Sequence, residues 1–264
     1  MSTPGWRYEE VRRYRAAEAG QGVAVDAEFF YAITNRAIGK YRKDTGERVG
    51  GWEGSAAGPI IHLNAGIVVK GRLYAIHSNY PTVPMLSSVE AFDPTTMTHV
   101  GTHSFGRADG SFTWLDRAVP PSLSGGAERW IACFVHYGNK AAEPSRDPSW
   151  TQIVAFDDEW RRTNGWALPA ALLARFAERG YSASGGAFGP GGHLYLTGHD
   201  NPELYVLDFP AAGSVMKWIA TIPIPSEGQA FSWDPSAPPM LYSILRRTKE
   251  VIVGRVTIPE VNGR

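Results

Sequence analysis

One strand pattern occurs five times along the 264 residues, and it limits the fold more than any other feature of the chain. Each copy is a short apolar run ending in a polar cluster: Phe30-Tyr31-Ala32-Ile33-Thr34-Asn35, Leu73-Tyr74-Ala75-Ile76-His77-Ser78-Asn79, Ala132-Cys133-Phe134-Val135-His136-Tyr137, Leu194-Tyr195-Leu196-Thr197-Gly198-His199-Asp200 and Leu241-Tyr242-Ser243-Ile244-Leu245-Arg246-Arg247. Anchored on Tyr31, Tyr74, Cys133, Tyr195 and Tyr242, the copies recur at intervals of 43, 59, 62 and 47 residues. A small-residue strand precedes each copy (Gln21–Val25, Asn64–Val68, Ser111–Leu115, Ser184–Phe188 and Gly228–Ser232). A third β-rich run follows each, clearest at Ser88–Asp93, Gln152–Asp157 and Leu204–Asp208, and fourth runs such as His99–His103 and Met216–Ala220 complete the unit. Turn signals at Asp44-Thr45-Gly46, Asp93-Pro94 and Gly189-Pro190-Gly191-Gly192 separate the strands.

Four strands per unit at a period near 40 to 60 residues is the sequence form of a β-propeller blade. The expected fold is therefore all-β: a five-bladed β-propeller with four-stranded blades, filling residues 1–264 as a single domain. The fifth unit ends near Pro259 without a fourth strand. Arg7–Arg15, upstream of the first unit, is the expected strand that completes it and closes the ring, removing the open sheet edges that invite aggregation. Two insertions lengthen the third and fourth units. Pro120–Arg129 is a Pro/Ser/Gly-rich loop, and Leu168–Glu178 reads as a short amphipathic helix with Leu168, Leu172, Leu173 and Phe176 on one face. That helix either packs outside the ring or covers a site.

Composition narrows the function classes. Lys and Arg number 26, as do Asp and Glu, and a chain without basic excess is not a phosphate-tracking nucleic-acid binder. A single cysteine, Cys133, excludes an internal disulfide framework and a multi-thiolate metal site, and its place inside a strand reads as an inert core thiol. No apolar stretch approaches the roughly 18 residues of a membrane helix, and Met1–Arg15 has no apolar run of a signal peptide. The expectation is a cytoplasmic protein with neither a membrane nor a nucleic acid as partner.

In a blade the start of the first strand and the end of the second emerge on one face of the ring. Collecting those positions gathers His62, His77, His136 and His199, four of the seven histidines, at one mouth of the channel. Loops on one face of a rigid scaffold are where binding and catalytic groups concentrate. Three readings of the histidines stand side by side. His62, His77, His136 and His199, with Glu227, would ligate a divalent metal cation. Alternatively His77, His136 or His199, with Tyr80, would transfer protons. In the third reading each is a strand-end residue hydrogen-bonded to backbone. Arg36, Asn64, Asn79, Trp114, Asp200, Gln229 and Arg246 are the candidate substrate-binding groups. Arg246, with Arg36 beside it across the ring closure, points to a carboxylate or phosphate on the ligand. Trp114, on an inner strand, offers a face for a sugar, but core packing is the simpler reading of it. No phosphate loop, Gly-x-Ser-x-Gly elbow or His-Glu-x-x-His motif is present in the sequence.

The Leu-Tyr strand followed by a third strand ending in Phe-Asp or Leu-Asp resembles the NHL, YncE-like and gluconolactonase-like β-propellers, and the likeness covers nearly the whole chain. It implies the ring fold. Rings of this kind include lactonases and lyases that hold a divalent metal at the channel mouth, so the resemblance implies chemistry of that class. The resulting expectation is a metal-assisted lyase or hydrolase acting on a small, anionic sugar acid or lactone. The alternatives are a non-catalytic ring that binds a ligand or protein through the same face, and a purely structural module.

Overall fold

A computed structural model describes residues 3–107, 110–120, 126–178 and 180–259. An N-terminal strand, β1 (Arg7–Arg15), precedes the first complete blade of β2 (Gly22–Val25), β3 (Phe29–Thr34), β4 (Ala37–Arg42) and β5 (Arg48–Glu53). The second blade is β6 (Leu63–Val69), β7 (Arg72–Ser78), β8 (Ser87–Asp93) and β9 (Thr98–Gly106). The third is β10 (Ser111–Ala118), β11 (Arg129–Val135), β12 (Gln152–Phe156) and β13 (Arg162–Ala167). After α1 (Ala170–Ala177) comes the fourth, β14 (Gly185–Phe188), β15 (Leu194–Thr197), β16 (Glu203–Asp208) and β17 (Lys217–Pro223). The last is β18 (Ser232–Trp233), β19 (Met240–Leu245) and β20 (Glu250–Thr257). Each blade is a four-stranded antiparallel sheet in chain order, except that β1 supplies the outer strand of the fifth. There Arg7 faces Thr257 and Arg15 faces Glu250. The first strands touch in sequence, β2 to β6 to β10 to β14 to β18 and back to β2, which closes the ring.

The expected architecture is the one observed. One strand differs: the inner strand of the fifth blade spans two residues rather than Gly228–Ser232. The cause is local, because Gly228 and Gln229 both sit at positive φ, +82° and +71°, which no strand accommodates. The amphipathic segment forms α1 two residues late, after Pro169. Residues 121–125 of the Pro/Ser/Gly-rich loop lie outside the described residues.

Aromatic side chains fill the spaces between sheets. Phe112 stacks on Phe134 at 4.7 Å, Phe30 on Tyr41 at 5.0 Å and Trp130 on Trp160 at 5.1 Å. Cys133 is buried and its thiol is pushed up to about 12 by burial, which fits the inert core thiol expected of it. Glycine sets how closely the inner strands approach. A Cβ on Gly22 would lie 2.7 Å from the Ala230 methyl, and one on Gly185 would lie 2.6 Å from the Gln229 carbonyl oxygen. β2 and β14 are therefore packed closely against the segment that enters β18.

Candidate functional site

The polar starts of the inner strands converge on a cavity of about 330 Å³ at one mouth. Gln21, Asn64, Thr113, Ser184 and Gln229 line it, one from the beginning of each inner strand or the segment just before it. Several are fixed by bonds between blades. Asn64 Nδ2 donates to the Phe112 carbonyl at 2.7 Å, and Thr113 Oγ1 donates to the Ala183 carbonyl at 2.8 Å. Gln229 is aimed by strain: its N–H donates to the Gly198 carbonyl at 3.0 Å while its φ is +71°. A Cβ on the preceding Gly228 would fall 2.1 Å from the same carbonyl oxygen, so glycine alone permits this approach.

Five rings form an arc along the wall. His62 packs on Tyr80 at 5.1 Å, Tyr80 on Tyr137 at 5.1 Å, Tyr137 on Tyr181 at 6.2 Å, and Tyr181 stacks on His199 at 3.6 Å with 5° between the planes. Two tyrosine hydroxyls of the arc are held neutral: burial pushes Tyr80 up to about 12 and raises Tyr137 further. Burial also lowers His62 to about 4, with His77, Arg246 and His199 adding their charge, so its imidazole is neutral at neutral pH.

His199 is the best-equipped group of the set. It sits in the loop after β15, where the Asp200 carboxylate stands 2.9 Å from Nδ1 and Arg246 Nη1 lies 3.4 Å from Nε2. The Gln229 amide donates to its carbonyl at 3.3 Å. Helix α1 backs this loop instead of covering the cavity: Phe176 packs on Tyr205 at 5.1 Å, and Arg175 makes a forked pair with Glu203 at 3.0 to 3.1 Å. Lys140 reaches the rim, its ammonium 5.5 Å above the Tyr80 ring. Among the described residues, Arg246 and Lys140 are the Lys and Arg side chains that line the cavity, and no described Asp or Glu does.

Of the residues singled out from sequence, His62, Asn64, Tyr80, His199, Gln229 and Arg246 line this cavity. The others do not. His77 is buried behind the wall, where Nε2 accepts the Ile61 N–H at 3.2 Å and Nδ1 lies 2.9 Å from Ser88 Oγ. It holds the segment that presents His62. His136, only 2 % exposed, pairs through Nδ1 with Glu143 at 3.0 Å. Trp114 is wholly buried, and a Cβ on Gly186 would come within 2.4 Å of its ring. Arg36 turns its guanidinium onto the Ser55 and Ala56 carbonyls, and Asn79 ties its own loop through Pro84 and Leu86. Asp200 reaches the cavity only through His199, while Glu227 stands at the exposed rim 3.5 Å from Arg247. Among the described residues no three His, Cys, Asp or Glu side chains gather closely enough to hold a metal ion. The ligand set of His62, His77, His136, His199 and Glu227 is thus not assembled, because two of its histidines are committed to partners between blades. Sequence reasoning missed Tyr181 and Lys140, which lie in loops outside the repeat.

The architecture has solved counterparts. A glutaminyl cyclase of Myxococcus xanthus is similar with a TM-score of 0.59 at 11% identity, over 97% of this chain and 98% of that one. A luciferin-regenerating enzyme gives 0.51 at 10% identity over 97% and 98% of the two chains. A gluconolactonase of Xanthomonas campestris gives 0.52 at 14% identity over 89% and 71%. The chain shares their β-propeller fold. No family model and no curated protein matches the sequence. At these identities the likeness speaks for the fold, and the chemistry has to be argued from the cavity.

Proposed function

We propose that the cavity binds a small, ring-bearing carboxylate or the corresponding lactone, and that the protein is a hydrolase or lyase working by proton transfer at His199. The observation that carries this reading is a wall with two cations and no carboxylate among its described residues, set beside a histidine backed by Asp200. Arg246 would take the ligand's carboxylate with charge-assisted hydrogen bonds, and Lys140 would add attraction at the rim. The tyrosines offer a flat face for a ring, while Asn64, Thr113, Ser184 and Gln229 supply partners for hydroxyl groups. His199 Nε2 would accept a proton from water or from carbon, and Asp200 would stabilise the imidazolium so formed. The likeness to a gluconolactonase and to a glutaminyl cyclase is compatible with such chemistry but rests on fold alone.

The test is a calorimetric and NMR screen of sugar acids, cyclic carboxylates and their lactones. Arg246→Gln weakens the best ligand roughly 10- to 100-fold, the usual worth of a hydrogen bond to a charged group. His199→Gln leaves binding within a few-fold and lowers conversion by about 100-fold or more. Unchanged affinity in Arg246→Gln refutes the anion site. Binding without conversion by the wild-type chain selects the alternative, a binding ring that uses the same face.

A further inference from the structure

The opposite mouth of the channel is built differently. It holds a cavity of about 260 Å³ whose walls come from the far ends of the same five inner strands. Val25, Val68, Phe188 and Trp233 stand there, and in the third blade the matching stretch ends in Asp116. Asp116 is the one ionisable side chain among the described lining residues. It is 9 % exposed, and its carboxylate accepts the N–H of Phe188 at 2.6 Å and that of Arg117 at 2.7 Å. The Arg117 guanidinium leads away from it, to Glu128 at 2.8 Å and Asp158 at 2.6 Å. Asp116 thus lines the cavity with no cationic side chain bonded to its carboxylate among the described residues.

We propose that this mouth is a second ligand site, which takes a small primary amine with an apolar body and seats its ammonium group on Asp116. An apolar cup of this size has room for one ring or a short alkyl chain. The two backbone N–H groups hold the carboxylate in place without neutralising its charge, which leaves oxygen lone pairs for a ligand donor. Burial raises this carboxyl to about 7, so an ammonium ligand would bind best above that pH, where the carboxylate is ionised. The two cavities share no lining residue, so this site is distinct from the proposed anion site.

The experiment uses the intact chain and two probes of nearly equal shape, benzylamine and uncharged benzyl alcohol, followed by calorimetry at pH 8. Benzylamine should bind at least tenfold more tightly than benzyl alcohol, and Asp116→Asn should cost benzylamine at least tenfold. Equal affinity of the two probes, or a folded Asp116→Asn variant that binds benzylamine as well as the wild type does, overturns the proposal. If that variant does not fold, backbone amide NMR of the wild type decides. Benzylamine should move the Phe188 and Arg117 amide resonances, and their failure to move at saturating benzylamine overturns it equally.

Discussion

Replacing His62 with glutamine should remove much of one component of the fold's acid sensitivity. The folded chain holds this imidazole at about 4, against an ordinary value of 6.5, chiefly through burial. As pH falls, the unfolded chain takes up this proton before the folded chain does, so stability is full above about pH 6.5 and is lost progressively toward pH 4. At about 1.36 kcal/mol per pH unit the complete loss is about 3.4 kcal/mol, of which about 2.5 kcal/mol has gone by pH 4.5. The ring is partly exposed, so these figures are ceilings. Urea unfolding at pH 7.0 and pH 4.5 measures the effect directly. The acid response of the rest of the chain is present in both proteins and cancels in the difference. Between the two pH values the wild type should lose about 2 kcal/mol more than His62→Gln. Equal losses would show that the mouth does not keep His62 neutral, and the electrostatic picture of the cavity would fail with it. That picture matters for function, because a neutral His62 leaves Arg246 and Lys140 as the cations that meet an anion at neutral pH.

Two further perturbations test the frame that holds the site. Deleting residues 1–15 removes β1, strips the partner from β20, and takes away Trp6 and Tyr14, both buried; at about 3–5 kcal/mol for each lost aromatic the ring should not stay closed, which calorimetry reads as a lost or broadened transition and light scattering as aggregation. Gly186→Ala drives a methyl to 2.4 Å from the Trp114 ring and should cost about 1–3 kcal/mol, whereas Gly101→Ala, which meets nothing within 4 Å, should be neutral or slightly stabilising in the same denaturant assay.

The blades were legible because their signals are local. Alternating apolar runs, turn residues and a recurring Leu-Tyr step repeat often enough that single irregularities do not obscure the period. Ring closure was legible for a related reason: a fifth unit with three strands requires a fourth from elsewhere, and Arg7–Arg15 was the unassigned strand. The site was legible in part. Inner-strand starts such as Asn64, Thr113 and Gln229 occupy equivalent places in the repeat, and the fold carries equivalent places to one mouth. Second-strand ends are harder, because a side chain there turns either toward the mouth or into the space between blades. His77 and His136 took the second course and found Ser88 and Glu143. His199, two residues beyond the end of β15, is freed from that alternation and reaches the cavity. Tyr181 and Lys140 belong to loops with no counterpart in other blades, so no spacing argument could place them.

A chain with no net charge builds a channel whose two ends differ because the difference is written along each inner strand. Gln21 leads to Val25, Asn64 to Val68, Ser184 to Phe188 and Gln229 to Trp233, so a hydrogen-bonding start gives way to an apolar end in each case. The starts line one cavity and the ends line the other, which makes one mouth polar and cationic and the other oily. The third strand follows the rule from Thr113 to Leu115 and then departs from it at Asp116. A carboxyl there has a raised pKa, so its stabilising neutral form is complete below about pH 3.8 and is lost as the pH rises through about 7. At neutral pH ionisation of this carboxyl costs the fold part of that stability, although the carboxylate still holds the Phe188 N–H of the next blade. A carboxyl that departs from a fourfold apolar pattern and lines a cavity, with no cationic side chain bonded to it among the described residues, is placed to meet a basic ligand as well as to hold the Phe188 amide.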